Sequence, residues 1–217
     1  MDRSTYQRTW SQLHGGASPS GLVGGWLALI HALAAPLARL RIPPDAVTVA
    51  GLLVACLAPL LAARGGVAVL GAALIVALSG VMDSLDGAVA VMTGRVTRWG
   101  AVLDAVADRV SDAAFVAALW AAGAPAAVCV AAVGLGWLQE YARARAGAAG
   151  LAEVAVLTVN ERPTRVVVVA MFLLASFLRP GDDPAWASIG AWLLVGLGVI
   201  GLGQLLVVVR RRLARDG

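Results

Sequence analysis

The residues best able to do chemistry lie in one stretch, DSLDGAVAVMTGRVTRWGAVLDAVADRVSD, at 83–112. Five of the thirteen acidic residues fall inside it: Asp83, Asp86, Asp104, Asp108 and Asp112. On a helix, Asp83, Asp86, Gly87 and Ala90 stand at i, i+3, i+4 and i+7, and Gly100, Asp104 and Asp108 at i, i+4 and i+8. Each set therefore shares one face. The intervening MTGRVTRW reads as a short turn that lets the two faces look at each other. Four close anions do not all stay ionised without compensation. Three outcomes are open: some acids are protonated, arginines such as Arg95, Arg98 and Arg109 pair with them, or a hard cation sits among their oxygens. Mg²⁺, Mn²⁺ and Ca²⁺ are the cations that suit carboxylates. Glycine and alanine between the acids leave a smooth wall on which an extended ligand can lie.

The elements that must hold these acids are apolar. The chain of 217 residues is 60% hydrophobic and 14% charged, with a mean hydropathy of +0.83, whereas soluble domains carry about 25% charged residues. It reads as an all-α, polytopic membrane protein. The first twenty residues are polar and show no secretory signal. Residues 21–41 are apolar at helical spacing, end in Arg39 and Arg41 and contain Pro36, a pattern that fits an interfacial amphipathic helix. Six transmembrane helices are expected after it: Val47–Ala63, Val67 into the acidic motif, Gly100–Ala122, Ala126–Glu140, Val166–Leu178 and Ala185–Val209. The division expected is 1–41 as N-terminus and interfacial helix, and 42–217 as a six-helix membrane domain.

All seventeen basic residues are arginine. With six spans, all but Arg64, Arg179 and the intrahelical Arg109 fall on the side of the termini. Both termini and the acidic stretch then face the cytoplasm. No basic face interleaved with aromatics appears, so nucleic acid is not an expected partner. Cys56 and Cys129 sit in apolar runs and read as small hydrophobes. Intramembrane acids usually mark function. A transporter with the acids as a cation or proton path is one reading, and a metal-dependent enzyme is the other.

The motif resembles that of the CDP-alcohol phosphatidyltransferase family, D-x-x-D-G-x-x-A-R, eight residues, then G-x-x-x-D-x-x-x-D. Here it reads Asp83-Ser-Leu-Asp86-Gly87-Ala-Val-Ala90-Val91, eight residues, Gly100-Ala-Val-Leu-Asp104-Ala-Val-Ala-Asp108. The resemblance implies a membrane enzyme of phospholipid biosynthesis that moves a phosphatidyl group from CDP-diacylglycerol to an alcohol and releases CMP. It further implies a Mg²⁺ or Mn²⁺ pair held by Asp83, Asp86 and Asp104. Asp108 would act as general base and second-metal ligand. Gly87, Ala90 and Gly100, with Asp45 and Thr48 of the Pro44-Asp45-Ala-Val-Thr48 segment, would lie against the nucleotide. The family also implies a homodimer. The departure is Val91, where the family has arginine. Arg95, one turn on, is a substitute cation for phosphate, and an inactive scaffold is the reading that Val91 keeps open.

YARARAGAAGL at 141–151 and ERPTR at 161–165 are similar to the basic segments of the phosphatidylinositol-phosphate synthase branch. That likeness implies phosphate recognition by Arg143, Arg145, Arg162 and Arg165, and so a phosphorylated acceptor, inositol phosphate first and glycerol 3-phosphate second. Flanking of spans by arginine explains the same residues without a ligand.

Overall fold

In this computed structural model the described residues are 1–13, 20–151, 157–182 and 185–216, and every regular element among them is an α-helix. Part of the polar N-terminal segment, the middle of the 141–165 stretch and the end of the RPGDDP turn lie outside the described residues. The order is α1 Arg3–Leu13, α2 Gly21–Arg39, α3 Pro44–Ala55, α4 Leu57–Ala62, α5 Val67–Thr93, α6 Arg98–Ala121, α7 Ala126–Ala148, α8 Arg162–Leu178 and α9 Trp186–Asp216.

Two of these elements differ from expectation. The polar N-terminus contains α1, started by Asp2, whose Oδ1 accepts the Thr5 amide at 2.8 Å. That is a side-chain cap on an otherwise open helix end. The apolar run after Pro44 is not one continuous helix but breaks at Cys56. Pro59 has no N–H to donate back to the carbonyl of Ala55, and its ring crowds that carbonyl.

Among the described residues, three segments are long and apolar enough to cross a membrane: Pro44–Ala62, Val67–Thr93 and Trp186–Ala214. At most 28% of the most apolar window in each is buried within the chain, so most of that apolar surface faces outward. Leu53, Leu60, Leu74, Val199 and Ile200 are among the outward residues. Water would not tolerate so much of it, and lipid does. The chain is a multi-pass membrane protein.

Contacts divide the chain into two compact units. The first comprises Met1–Val54 and Leu78–Asp108. Its apolar core is Tyr6, Leu27, Ile30, Ala34, Ala88 and Val89, with Trp10, Leu37, Leu85 and Val91 packed around it. The second comprises Ala55–Ala77 and Arg109–Gly217. Phe115, Leu119, Val169, Leu173 and Leu194 belong to its core, where α9 packs on α7 and α8. Glycine permits that approach at three points, one of them Gly190, where a Cβ would stand 2.7 Å from Phe172 Cβ. A Cβ on Gly198 would stand 2.9 Å from Leu135 Cβ, and one on Gly201 would stand 2.8 Å from Asn160 Cβ. Small residues at such crossings are the usual means of close packing where lipid supplies no hydrophobic drive.

Candidate active site

The turn joining the two acid-bearing helices is built by its own residues. Gly94 takes φ +65, its N–H donates to Val91 O at 3.3 Å, and Arg95 N–H donates to Ala90 O at 2.9 Å. This paired closure stops α5 with glycine in the left-handed position. Three residues later Thr97 opens α6, its Oγ1 accepting the Gly100 amide at 2.9 Å. A Cβ on Gly100 would meet Thr97 Oγ1 at 3.1 Å and Asp45 Oδ1 at 3.6 Å. Gly100 therefore brings the start of α6 against the first turn of α3.

On the facing helices, Asp83, Asp104 and Asp108 each offer a carboxylate oxygen within 4.8 Å of the others. Bonds of about 2.1 Å to Mg²⁺ put two ligand oxygens at most about 4.2 Å apart, so small side-chain rotations suffice to bind. Three half-buried, hard oxygen donors this close fit a divalent metal ion as cofactor. Asp86, the fourth acid, is buried and held in place by bonds of its own. Thr48 Oγ1 donates to its Oδ2 at 2.7 Å, and the Gly87 N–H lies 2.6 Å from its Oδ1. Thr48 is 3.3 Å from Pro44 O as well, but a hydroxyl has one proton and the nearer carboxylate takes it. Asp45, Thr48, Gly87, Ala90 and Gly100 all lie in this first unit. The space over Gly87 is open, since a Cβ there would meet nothing within 4 Å.

Val91 packs against the α1–α2 core. A guanidinium in its place would enter an apolar cluster, so the local packing accounts for the missing cation. Arg95 lines a cavity with Arg39 and Arg41, also in the first unit.

In the second unit, a buried polar network runs through α6, α7 and α8. Arg165 Nη2 donates to Asp112 Oδ2 at 2.9 Å, with Arg109 at 3.5 Å and Arg162 at 3.9 Å from the same carboxylate group. Arg165 Nη1 donates to Asn160 O at 2.5 Å. Glu140 stands 3.5 Å from both Arg109 and Arg143, and Arg143 Nη2 donates to Glu161 at 2.8 Å. Glu161 also accepts from the Thr158 amide and hydroxyl, Gln139 donates to Thr158 Oγ1, and Asn160 donates to Gln139. Burial pushes Glu161 up, but the Thr158 amide and the Arg143 guanidinium outweigh it and hold the carboxyl below its usual range. Burial, with Arg165 beside it, brings Arg162 down to about 10, still protonated at neutral pH.

Of the four arginines singled out from sequence, Arg143, Arg162 and Arg165 join this network, and Arg145 stays exposed on α7. Gln139, Glu140, Thr158, Asn160 and Glu161 were not singled out. The signal available was Gln139-Glu140, a polar pair at the end of the apolar run of α7. Asp112 pairs with Arg109, one turn before it, but its shortest bond is to Arg165.

The sequence profile of the CDP-alcohol phosphatidyltransferase family matches residues 41–202. The archaetidylinositol phosphate synthase of Methanothermobacter thermautotrophicus is 35% identical over 176 residues, 81% of this chain and 87% of that protein. The phosphatidylinositol phosphate synthase of Cutibacterium acnes is 32% identical, over 88% of this chain and 93% of its own length. Among solved structures, Mycobacterium tuberculosis phosphatidylinositol phosphate synthase with CDP-DAG bound superposes with a TM-score of 0.70 at 31% identity, covering 84% of this chain and 94% of that one. The same enzyme in complex with manganese and citrate gives 0.69 at 32% identity, covering 83% and 88%. Carboxylates gathered on two facing helices, an outward apolar surface and these likenesses converge: the chain belongs to the CDP-alcohol phosphatidyltransferase family and is an enzyme of that type.

Proposed function

We propose that the chain is a phosphatidylinositol-phosphate synthase, joining the phosphatidyl group of CDP-diacylglycerol to an inositol phosphate and releasing CMP. The observation that carries the catalytic part is the trio Asp83, Asp104 and Asp108 within 4.8 Å, beside an Asp86 fixed by Thr48. The acceptor rests on the likeness to synthases of inositol lipid phosphates, supported by the arginine network of Arg143, Arg162 and Arg165. Guanidinium forks suit a phosphate dianion.

In this reading Asp83, Asp86 and Asp104 hold the cations, with Asp108 a second-metal ligand. A bound pair of Mg²⁺ or Mn²⁺ supplies neutralisation of the charge on the diphosphate. Asp45 and Thr48 face the nucleotide, while Gly87, Ala90 and Gly100 leave room for it. Asp108 takes the proton of the acceptor hydroxyl as that oxygen bonds to the phosphorus bearing the diacylglycerol. The bond from that phosphorus to the oxygen shared with CMP breaks, and CMP leaves with the electron pair. Arg143, Arg162 and Arg165 orient the acceptor's phosphate, and Arg145 lies at the mouth of the same helix end. Arg95 serves a phosphate from the α5 end.

The layout inferred is six membrane helices after an interfacial α2, with 1–41 preceding a 42–217 membrane domain. The lengths of α6, α7 and α8, 24, 23 and 17 residues, support the additional spans. The arginine asymmetry supports termini and site on the cytoplasmic side. A homodimer follows from the family resemblance.

The test is CMP release from CDP-diacylglycerol by purified full-length protein, with and without Mg²⁺ or Mn²⁺, offering inositol phosphate, inositol and glycerol 3-phosphate in turn. Metal-dependent release with inositol phosphate alone is the expected result. Preference for glycerol 3-phosphate would replace the acceptor but keep the chemistry, and no release with any acceptor would remove the activity.

A further inference from the structure

Apart from Arg95, the residues around the cavity at the ends of α2 and α5 have no role in the reaction just described. Its volume is about 410 Å³, and three guanidiniums line it: Arg39, Arg41 and Arg95. Among the described residues no acid lines it, and none makes an ion pair with any of the three. Arg41 reaches the cavity from φ 56, a left-handed backbone that arginine adopts at a cost and that marks a position held by its surroundings. The Thr93 hydroxyl lies in the same wall. His31 borders it as well, Nε2 donating to Met1 O at 3.2 Å and the ring 5.6 Å from that of Tyr6.

The faces of α2 say which side the cavity opens on. At about 100° per residue, Trp26, Leu29, Leu33 and Leu40 form one stripe, and all four are exposed. Leu27, Ile30 and Ala34 form a second face, buried in the core. His31, Ala35, Ala38 and Arg39, the cavity face, stand roughly 160° around from the exposed apolar stripe. A helix lying in the interface with that stripe toward the acyl chains turns its arginine face to water. The cavity therefore collects cations on the aqueous side, where solvated arginines alone, as at 210–212, need no shared concavity.

We propose that Arg39, Arg41 and Arg95 form a second phosphate site, separate from the carboxylate site, that takes the phosphate of a water-soluble phosphate ester. Its distance from the acids along α5 is about 10 Å, the rise from Asp86 to Thr93. Three guanidinium forks with a hydroxyl beside them match the acceptor-rich surface of a phosphate monoester. Val91 leaves α5 without the cation of the family pattern, and this cavity places cations at the same helix end.

Full-length protein in phosphatidylcholine nanodiscs, stripped of divalent metal and given no donor lipid, is titrated with inorganic phosphate while its thermal midpoint is followed. Wild type should show a saturable rise with half-saturation on the order of 1 mM or tighter. R39Q and R95Q should each weaken binding about tenfold. R41G should do the same while its unliganded midpoint equals or exceeds that of wild type, because glycine is at ease at that φ. This variant separates loss of the site from loss of the fold. An absent rise, or one unchanged in the three variants, would overturn the site. An arginine-dependent rise with phosphatidylglycerol in the nanodiscs and none with phosphate would overturn the aqueous source in favour of a lipid headgroup. Neither donor nor metal is present, so the outcome is independent of the acceptor assignment.

Discussion

Asp108 and Asp112 are one turn apart on α6, and they live in opposite physical situations. Asp108 approaches Asp83 and Asp104, oxygen to oxygen within 4.8 Å. Asp112 lies against Arg165 at 2.9 Å, with Arg109 and Arg162 beyond it. The boundary between the two compact units falls between them, after Asp108. Residue type and spacing are the same on both sides of it. What differs is the company: a gathering of like charges asks for an added cation, whereas a buried carboxylate among guanidiniums is already compensated. The i+4 series of aspartates thus changes from a site into a brace within one turn.

The largest effects should come from the clustered side. D108N should lower CMP release by roughly 10²–10⁴-fold, the usual reach of a general base, while the protein stays folded and binds nucleotide. Turnover within a few fold of wild type would end its assignment as base. Chelation of divalent metal should remove activity altogether and restore it on addition of Mn²⁺, with CMP release as the readout.

The contrast sharpens in unfolding experiments on metal-free protein. D112N strands Arg165 in a buried place and should cost about 3–5 kcal/mol, read as a lower denaturation midpoint. D83N relieves repulsion among the clustered acids, so it should leave the midpoint unchanged or raise it. Equal losses for both would erase the distinction between site and brace. T48V removes the bond that fixes Asp86 and should cost about 1–3 kcal/mol, read as a lower denaturation midpoint. G201A should cost a similar amount, about 1–3 kcal/mol, by overpacking α9 against Asn160 and Gln139.

The smallest effect concerns Glu161. Its pKa is depressed in the folded chain, so its contribution to stability is full above its ordinary value of 4.5. That contribution is lost as pH falls through the lower folded value. E161Q should flatten the pH dependence of the unfolding midpoint in that acid window, with the midpoint modestly lower than wild type near neutrality and equal to it in acid.

Local rules on the chain made much of the site legible. The i+3 and i+4 spacings of the acids, the Gly94 stop and the Thr97 cap are short-range matters, so the two acid-bearing helices could be outlined within two residues of α6 as it stands. The break at Cys56 was equally local, since Pro59 stood in the sequence, but the apolar run masked it. The helix α1 was illegible for another reason. Its residues are polar, and only the burial of Tyr6 against α2 shows why it packs there.

By itself the sequence determined that this is an all-α membrane protein, that four aspartates share two helical faces, and that Val91 breaks the family pattern. Periodicity and composition are properties of neighbours along the chain, and they need no fold to be read. Only the tertiary structure decided that Asp86 belongs to Thr48 from α3, that Asp112 belongs to Arg165 from α8, and that Val91 points into the α1–α2 core. Those pairings join residues 38 and 53 positions apart. Which partner a charge finds at such separations depends on how the helices pack, a long-range outcome that spacing along the chain does not encode.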